Sequence, residues 1–194
     1  MGAFGRKLGI LPVVSRAFAG RFMIKYIYKD MLSVMRFLPW ALVIGIPASA
    51  LVLWVQKKRR GEQKPVRIMP VAAFCIYFAV ILLITLLSRE SGGSKVIDLE
   101  LFSSWGINSR NNAFVIENVL LFIPYGFVSS LAFRGMRNIF SCTAFGAATS
   151  VGVECLQLVT GRGFFQLDDI LTNMIGAMLG CMVYLLLFWK KRKD

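Results

Sequence analysis

Five apolar blocks of 19 to 21 residues, separated by shorter charged segments, dominate the pattern of hydrophobic and polar positions along the chain. A helix needs about 20 apolar residues to cross the hydrocarbon core of a bilayer, and a membrane-barrel strand is only about half that long. Because a segment in lipid must satisfy its own backbone hydrogen bonds, the blocks predict transmembrane helices. The predicted spans are 37–55, 69–87, 115–133, 139–159 and 170–188. The pattern therefore predicts an all-α integral membrane protein, a bundle of about five transmembrane helices.

Small residues are spaced four apart in the fifth block, at Gly176 and Gly180, and they are frequent in the fourth. Small side chains let helix backbones approach each other closely in lipid. We therefore expect the last two spans to pack tightly within the bundle.

The segment before the first block, residues 1–36, has a different pattern. Its basic residues recur at helical spacing and share one face: Arg21, Lys25, Lys29 and Arg36. This favours a basic amphipathic helix lying in the membrane interface. The alternative is a marginal span over 8–28, which would bury two arginines. The chain thus divides into a basic amphipathic segment (1–36), a transmembrane domain (37–188) and a basic cytoplasmic tail (189–194).

Composition agrees with a membrane protein and excludes several functions. The chain is 57% hydrophobic, with a mean hydropathy of +0.65 and a net charge of +13. The basic residues lie mainly between the apolar blocks, where they would contact anionic lipid headgroups. No soluble domain remains to read nucleic acid, so no nucleic-acid partner is expected. The chain contains no histidine, which excludes Ser-His and Cys-His catalysis.

Lysine and arginine are distributed unevenly between the two sides that five spans define. Twelve of the 23 basic residues lie in 57–67, 134–138 and the C-terminal tail, whereas four lie in 88–114 and 161–166. Because cytoplasmic loops are enriched in these residues, the first group is predicted to be cytoplasmic. Five spans would then place the N-terminal segment outside with its seven basic residues. A sixth span in that segment would remove the conflict, so the sequence leaves five or six spans open.

Polar side chains lie within the last three predicted spans and in the loop between the final two. They are Glu117, Asn118, Glu154, Gln157, Arg162, Asp168, Asp169 and Asn173. The predicted orientation brings all of them to a similar depth in the outer leaflet. Ionisable groups at membrane depth are costly unless they are paired, hydrated or functional. We therefore predict that these eight residues form one ligand-binding cluster.

A purely structural role competes with this interpretation. The four acids would then pair with Arg162, while Asp168 and Asp169 cap the last span. In the functional interpretation, the four acids outnumber the one nearby cation. Such an excess of negative charge marks candidate functional residues. Glu154, Asp168 and Asp169 are the candidate catalytic residues, as acid, base or metal ligands. An oxygen-only cluster without histidine is a weak signal for a metal, so no metal or other cofactor is predicted.

The same residues lie in four sequence strings: ENVLLFIPYGF (117–127), VECLQL (153–158), TGR (160–162) and DDILTNMIGAMLG (168–180). In order and spacing these strings resemble the signature of VanZ-like proteins, most specifically over 117–180 and in overall arrangement over 40–184. The positions that match the family pattern are Asn118, Pro124, Gly126, Glu154, Gln157, Gly161, Arg162, Asp168, Asp169, Asn173, Gly176 and Gly180. The resemblance implies a multi-pass protein of the bacterial cytoplasmic membrane, associated with resistance to the lipoglycopeptide teicoplanin. It implies no reaction mechanism.

Two function hypotheses are compatible with the residues and the resemblance. In the first, an outer-leaflet polar pocket engages a membrane lipid, a lipid-linked cell-wall precursor or teicoplanin, whose acyl chain enters that leaflet by hydrophobic burial. In the second, the protein is an intramembrane hydrolase or transferase that acts on a lipid-linked substrate through Glu154 and Asp168 or Asp169. A small transporter is less favoured, because five short spans without an inverted repeat leave little room for alternating access. An oligomer would supply that room, and the sequence is compatible with one.

Overall fold

Long helices make up most of the structure. A computed structural model describes residues 10–60, 67–87, 97–102, 105 and 108–188. The helices are α1 Ile10–Ser33, α2 Leu38–Arg60, α3 Ile68–Leu87, α4 Ser109–Ala132, α5 Ile139–Thr160 and α6 Leu167–Phe188. Short 3₁₀ turns, Val34–Phe37 and Arg134–Met136, join α1 to α2 and α4 to α5. The predicted basic tail, 189–194, lies outside the described residues.

Five helical stretches among the described residues are long and apolar enough to cross a membrane. The first runs from Gly20 to Arg59 through the α1–α2 junction, and the others are α3, α4, α5 and α6. The predicted all-α membrane fold is therefore confirmed. The N-terminal segment is helical from Ile10, as expected, and its position in the membrane interface remains a prediction.

The largest departure from the predicted boundaries is the start of α4, which begins at Ser109 rather than at residue 115. Asn108 caps the helix, since its side-chain oxygen accepts hydrogen bonds from the backbone N–H groups two and three residues later, at 3.0 and 2.8 Å. Such caps satisfy the N–H groups that a helix leaves unpaired in its first turn. Glu117 and Asn118 consequently lie about 12 Å along α4, at about 1.5 Å per residue, and not in its first turn.

Two short strands, which the sequence pattern did not predict, join loops at one end of the bundle. β1 (Ile97–Asp98) pairs in parallel with β2 (Phe165–Gln166). Alternation of apolar and polar residues has no meaning over two residues, so no periodic signal was available. The pairing fixes the loop before α4 against the loop between α5 and α6.

Helix α6 packs against both α4 and α5, and glycines set the distance between them. A Cβ added at Gly176 would meet the carbonyl oxygen of Val119, and one added at Gly180 would meet that of Ile123. On α5, a Cβ at Gly146 would meet the Cβ of Ala177. The small residues of α5 and α6 therefore lie at close helix contacts, and those at Gly176 and Gly180 are with the main chain of α4.

Aromatic side chains hold α3, α4 and α5 together. The ring of Tyr125 lies 5.6 Å from that of Phe74 and 5.8 Å from that of Phe145, measured between centroids. The Tyr125 hydroxyl is hydrogen bonded to Oγ1 of Thr149 at 2.6 Å. A buried tyrosine adds a large apolar area, provided that its hydroxyl finds a partner as it does here.

Candidate functional site

The predicted polar residues lie toward one end of the bundle, which we call the polar end. At this end α3 and α5 finish, and α4 and α6 begin. The junction of α1 with α2 is also close to it, because Oδ2 of Asp30 accepts a hydrogen bond from Nη1 of Arg110 at 2.6 Å. The polar end is therefore built from all six helices.

Five polar side chains of α5 and α6 are almost completely buried there, with 1% to 6% of their surface exposed. They are Glu154, Gln157, Asp168, Asp169 and Asn173, and we call them the α5–α6 cluster. In α5 the two members are three residues apart, and in α6 Asp169 and Asn173 are four apart, so each of these pairs shares a face of its helix, as expected. Buried polar groups in proteins are generally hydrogen bonded. The partners of these five side chains therefore identify the segments that the cluster holds together.

Two carboxylates of the cluster bind backbone N–H groups of the loops. Oε2 of Glu154 accepts from the N–H of Gln166 at 3.0 Å. Oδ1 of Asp168 accepts from the N–H of Phe102 at 2.6 Å. Phe102 has a φ of 64°, a left-handed conformation that non-glycine residues seldom adopt. The carboxylates therefore hold β2, through Gln166, and the turn that follows β1, through Phe102, against α5 and α6.

Gln157 and Arg162 bind the end of α3. Nε2 of Gln157 donates to the carbonyl oxygen of Thr85 at 3.0 Å, and Nη1 of Arg162 donates to that of Leu86 at 3.1 Å. These carbonyls belong to the last turn of α3, where a helix leaves its acceptors unpaired. The positive charge of Arg162 also suits the negative end of the helix dipole. Arg162 thus binds α3 rather than pairing with the four acids.

Gly161 makes the position of Arg162 possible. It has a φ of 64° and ends α5 in the left-handed conformation, which glycine adopts without steric cost. The backbone N–H of Arg162 then turns back to the carbonyl oxygen of Gln157 at 3.0 Å. The Gly-Arg pair of the sequence signature therefore has a structural explanation as a helix end that points an arginine at α3.

Asn173 completes the cluster by joining α6 to α5. Its Nδ2 donates to Oγ of Ser150 at 2.8 Å. Within the described residues, Oδ1 of Asn173 and Oε1 of Gln157 are buried without a hydrogen-bond partner. The five residues of the cluster and the neighbouring Arg162 make up six of the eight predicted residues, and all of these except Asp169 make a hydrogen bond to another helix or loop described above.

A cavity of about 860 Å³ opens at the polar end, between the α1–α2 junction and the facing parts of α3 and α4. Apolar side chains form much of its wall, including Phe37, Trp40, Ile44, Leu83, Phe114 and Leu121. Its charged and amide side chains are Lys29, Asp30, Arg36, Arg110, Glu117 and Asn118. An apolar wall with a few polar groups is typical of sites for small molecules.

The remaining two predicted residues, Glu117 and Asn118, line this cavity. Within the described residues, Oε1 of Glu117 and Nδ2 of Asn118 are buried without a hydrogen-bond partner. The eight predicted residues therefore do not form a single cluster: six lie in and beside the α5–α6 cluster, and two face the cavity. Thr85 connects the two groups, since it lines the cavity and binds Gln157 through its carbonyl oxygen.

Sequence reasoning named Lys29 and Arg36 only as part of a basic helix face and missed Asp30, which lines the cavity with them. Asp30 is the only acidic residue among the first 60 residues. A single acid in a basic segment was the signal that could have identified it. Its partner Arg110 lies between two aromatic rings, 5.0 Å from the centroid of Tyr26 and 4.3 Å from that of Phe114. Cation–π contacts of this kind fix the guanidinium in place. One side of the cavity is thus held by contacts between α1 and α4.

The three candidate catalytic residues all lie in the buried α5–α6 cluster. Among the described residues, no group of three or more cysteine, aspartate or glutamate side chains lies close enough to hold a metal ion. The candidate catalytic residues Glu154, Asp168 and Asp169 are buried, and the first two bind backbone N–H groups. A catalytic role for them remains a hypothesis.

The fold defines the protein as a multi-pass helical membrane protein with a buried polar end. Its sequence matches the VanZ/LLP1 family over residues 74–188, which is more than half of the chain, so the chain belongs to this family. It is also similar to Protein VanZ of Enterococcus faecium, with 30% identity over 70 residues. That match covers 36% of this chain and 43% of the relative, which is less than half of the relative's length. No solved structure matches the chain.

The family match confirms the resemblance inferred from the sequence strings. It includes α4, α5, α6 and all eight predicted polar residues, whereas α1 and α2 lie outside it. The cavity is consequently lined from both parts of the chain. Asp30 and Trp40 come from outside the matched region, and Glu117 and Asn118 come from within it.

Proposed function

We propose that this chain is a VanZ-type resistance factor of the bacterial cytoplasmic membrane. It protects the cell against teicoplanin-type glycopeptides by binding an amphiphile in the cavity at its polar end. The observation that carries the proposal is that an apolar wall coincides with two buried polar atoms, Oε1 of Glu117 and Nδ2 of Asn118, that have no hydrogen-bond partner within the described residues. An acyl-bearing drug concentrates in the leaflet where such a cavity opens. Occupation of that leaflet site lowers the amount of drug that reaches its target.

The charge distribution supports an outward-facing polar end. The opposite end of the bundle carries Lys57, Lys58 and Arg59 at the end of α2, and Arg134 and Arg137 in the turn between α4 and α5. Because positive residues are retained on the cytoplasmic side, this opposite end is the cytoplasmic one. The cavity then opens toward the outer leaflet.

The α5–α6 cluster has a supporting role in this proposal. Its side chains fix the ends of α3, α5 and α6, and α3 supplies part of the cavity wall. Glu154→Ala would leave the partly buried N–H of Gln166 without its acceptor, so we expect it to lower both protein abundance and protection. A cavity substitution should lower protection alone.

The test is the minimum inhibitory concentration of teicoplanin in a susceptible bacterium that expresses the full chain. Glu117→Gln and Asn118→Ala should abolish protection while an immunoblot of membranes shows unchanged abundance. The matched control is Glu100→Gln, an exposed acid outside the cavity lining, which should protect fully. For a glycopeptide without an acyl chain, the minimum inhibitory concentration should change little when any of these proteins is expressed. Full protection by both cavity variants would refute the proposal.

A further inference from the structure

Charge in the cavity is ordered from its interior to its mouth. Glu117 and Asn118 present buried polar atoms in the interior. Asp30 and Arg110, which form an ion pair at 2.6 Å, are 30% and 39% exposed. Lys29 and Arg36 are exposed and line the mouth. A ligand that fits this order carries a positive group inside and a negative group near the mouth.

The interior groups define the ligand further. Within the described residues, Oε1 of Glu117 and Nδ2 of Asn118 are buried without a hydrogen-bond partner, and the Glu117 carboxyl group lies close to that of Asp30. The two residues are consecutive on α4 and both line the cavity, so they can bind two neighbouring groups of one ligand. Arg110 does not supply the missing donor for Oε1, since its Nη1 binds Asp30 and its guanidinium lies over Phe114. Buried polar atoms in such a position are costly until a ligand bonds to them.

We propose that the cavity binds the headgroup of a zwitterionic aminophospholipid, with its ammonium at Glu117 and its phosphate between Asn118 and the basic mouth. A primary ammonium donates the hydrogen bond that Oε1 of Glu117 lacks. A phosphate oxygen accepts from Asn118, and Lys29 and Arg36 balance its charge. Trp40, Ile44 and Leu83 form the wall along which the acyl chains leave the cavity. The inference rests on the proposed function, because it assigns a membrane lipid to the same cavity.

This assignment predicts selectivity between lipids of similar size. A choline headgroup has the same charge but no N–H donor, and a glycerol headgroup has no positive charge. A charge-assisted hydrogen bond accounts for about a tenfold difference in affinity. We therefore expect phosphatidylethanolamine to bind about ten times more tightly than phosphatidylcholine or phosphatidylglycerol.

The experiment uses the purified full chain in detergent, with binding of short-chain lipids of the three headgroups measured by native mass spectrometry. Glu117→Gln should reduce the preference for ethanolamine over choline from about tenfold to near one. The control Glu100→Gln should retain the full preference. Equal binding of the two lipids by the wild-type chain, or an unchanged preference in Glu117→Gln, would overturn the proposal.

A second variant keeps the proposal testable if Glu117→Gln does not fold. Lys29→Ala with Arg36→Ala changes two exposed side chains and should weaken binding of all three lipids while leaving the ethanolamine preference intact. Binding unchanged by this double variant would show that the mouth does not bind phosphate. Soluble phosphoethanolamine should compete only at concentrations far above those of the lipid, and equal potency would assign the site to a soluble ligand.

The two proposals fail separately. A chain that selects phosphatidylethanolamine in detergent but gives no protection in cells contradicts the resistance function alone. A chain that protects cells through Glu117 and Asn118 but binds the three lipids equally contradicts the headgroup assignment alone.

Discussion

A single methyl group added at Gly180 tests whether main-chain contact between α4 and α6 holds the bundle together. The added Cβ would lie 2.8 Å from the backbone nitrogen of Phe127 and 2.9 Å from the carbonyl carbon of Ile123, and it would also meet that residue's carbonyl oxygen. Favourable contacts between carbon atoms need about 3.5 Å or more. Because these obstacles are main-chain atoms, they cannot rotate away, and the two helices must separate.

The expected magnitude follows from two opposing effects. Overpacking of a well-packed interior costs about 1–3 kcal/mol, and rigid main-chain obstacles place Gly180→Ala at the upper limit. Alanine is favoured over glycine inside a helix by about 1 kcal/mol. We therefore expect Gly180→Ala to lower the free energy of unfolding by about 2 kcal/mol.

Gly152 provides the matched control, since it is also helical but nothing lies within 4 Å of a Cβ added there. Gly152→Ala should leave the protein as stable as the wild type or stabilise it by up to about 1 kcal/mol. Both variants are unfolded by titration with sodium dodecyl sulfate in mixed micelles and followed by tryptophan fluorescence. Unfolding free energies that agree within about 0.5 kcal/mol would refute the close approach of α4 and α6.

Further substitutions test three individual contacts by the same titration. Asn108→Ala should remove the cap of α4 and cost about 1 kcal/mol, while Asn108→Asp should keep the stability because it keeps the capping oxygen. Gln157→Leu leaves the carbonyl oxygen of Thr85 without its donor and should cost about 1–3 kcal/mol, so unchanged stability would contradict the proposed link to α3. Asp30→Asn and Arg110→Gln, alone and together, should reveal a coupling of at most about 1 kcal/mol, since the pair is partly exposed. A larger coupling would show that the pair is shielded from water.

The spans could be predicted from the sequence because each depends on local information. Blocks of about 20 apolar residues must form helices in lipid, whatever surrounds them. The spacing within each helix was equally local, and it placed Glu154 with Gln157 and Asp169 with Asn173 on inward faces. The start of α4 was mispredicted because a single cap residue, Asn108, extended the helix beyond its apolar block.

The sequence by itself determined the class of fold, the family and the presence of buried polar residues at one end, since these follow from hydropathy and from short motifs. Only the tertiary structure decided which of those residues belong together. Arg162 binds the end of α3 instead of the acids, and Asp30 meets Arg110 across 80 positions of the chain. The cavity beside Glu117 likewise depends on how α1 docks against α4. Contacts between distant segments arise from packing geometry, and no local pattern of residues encodes them.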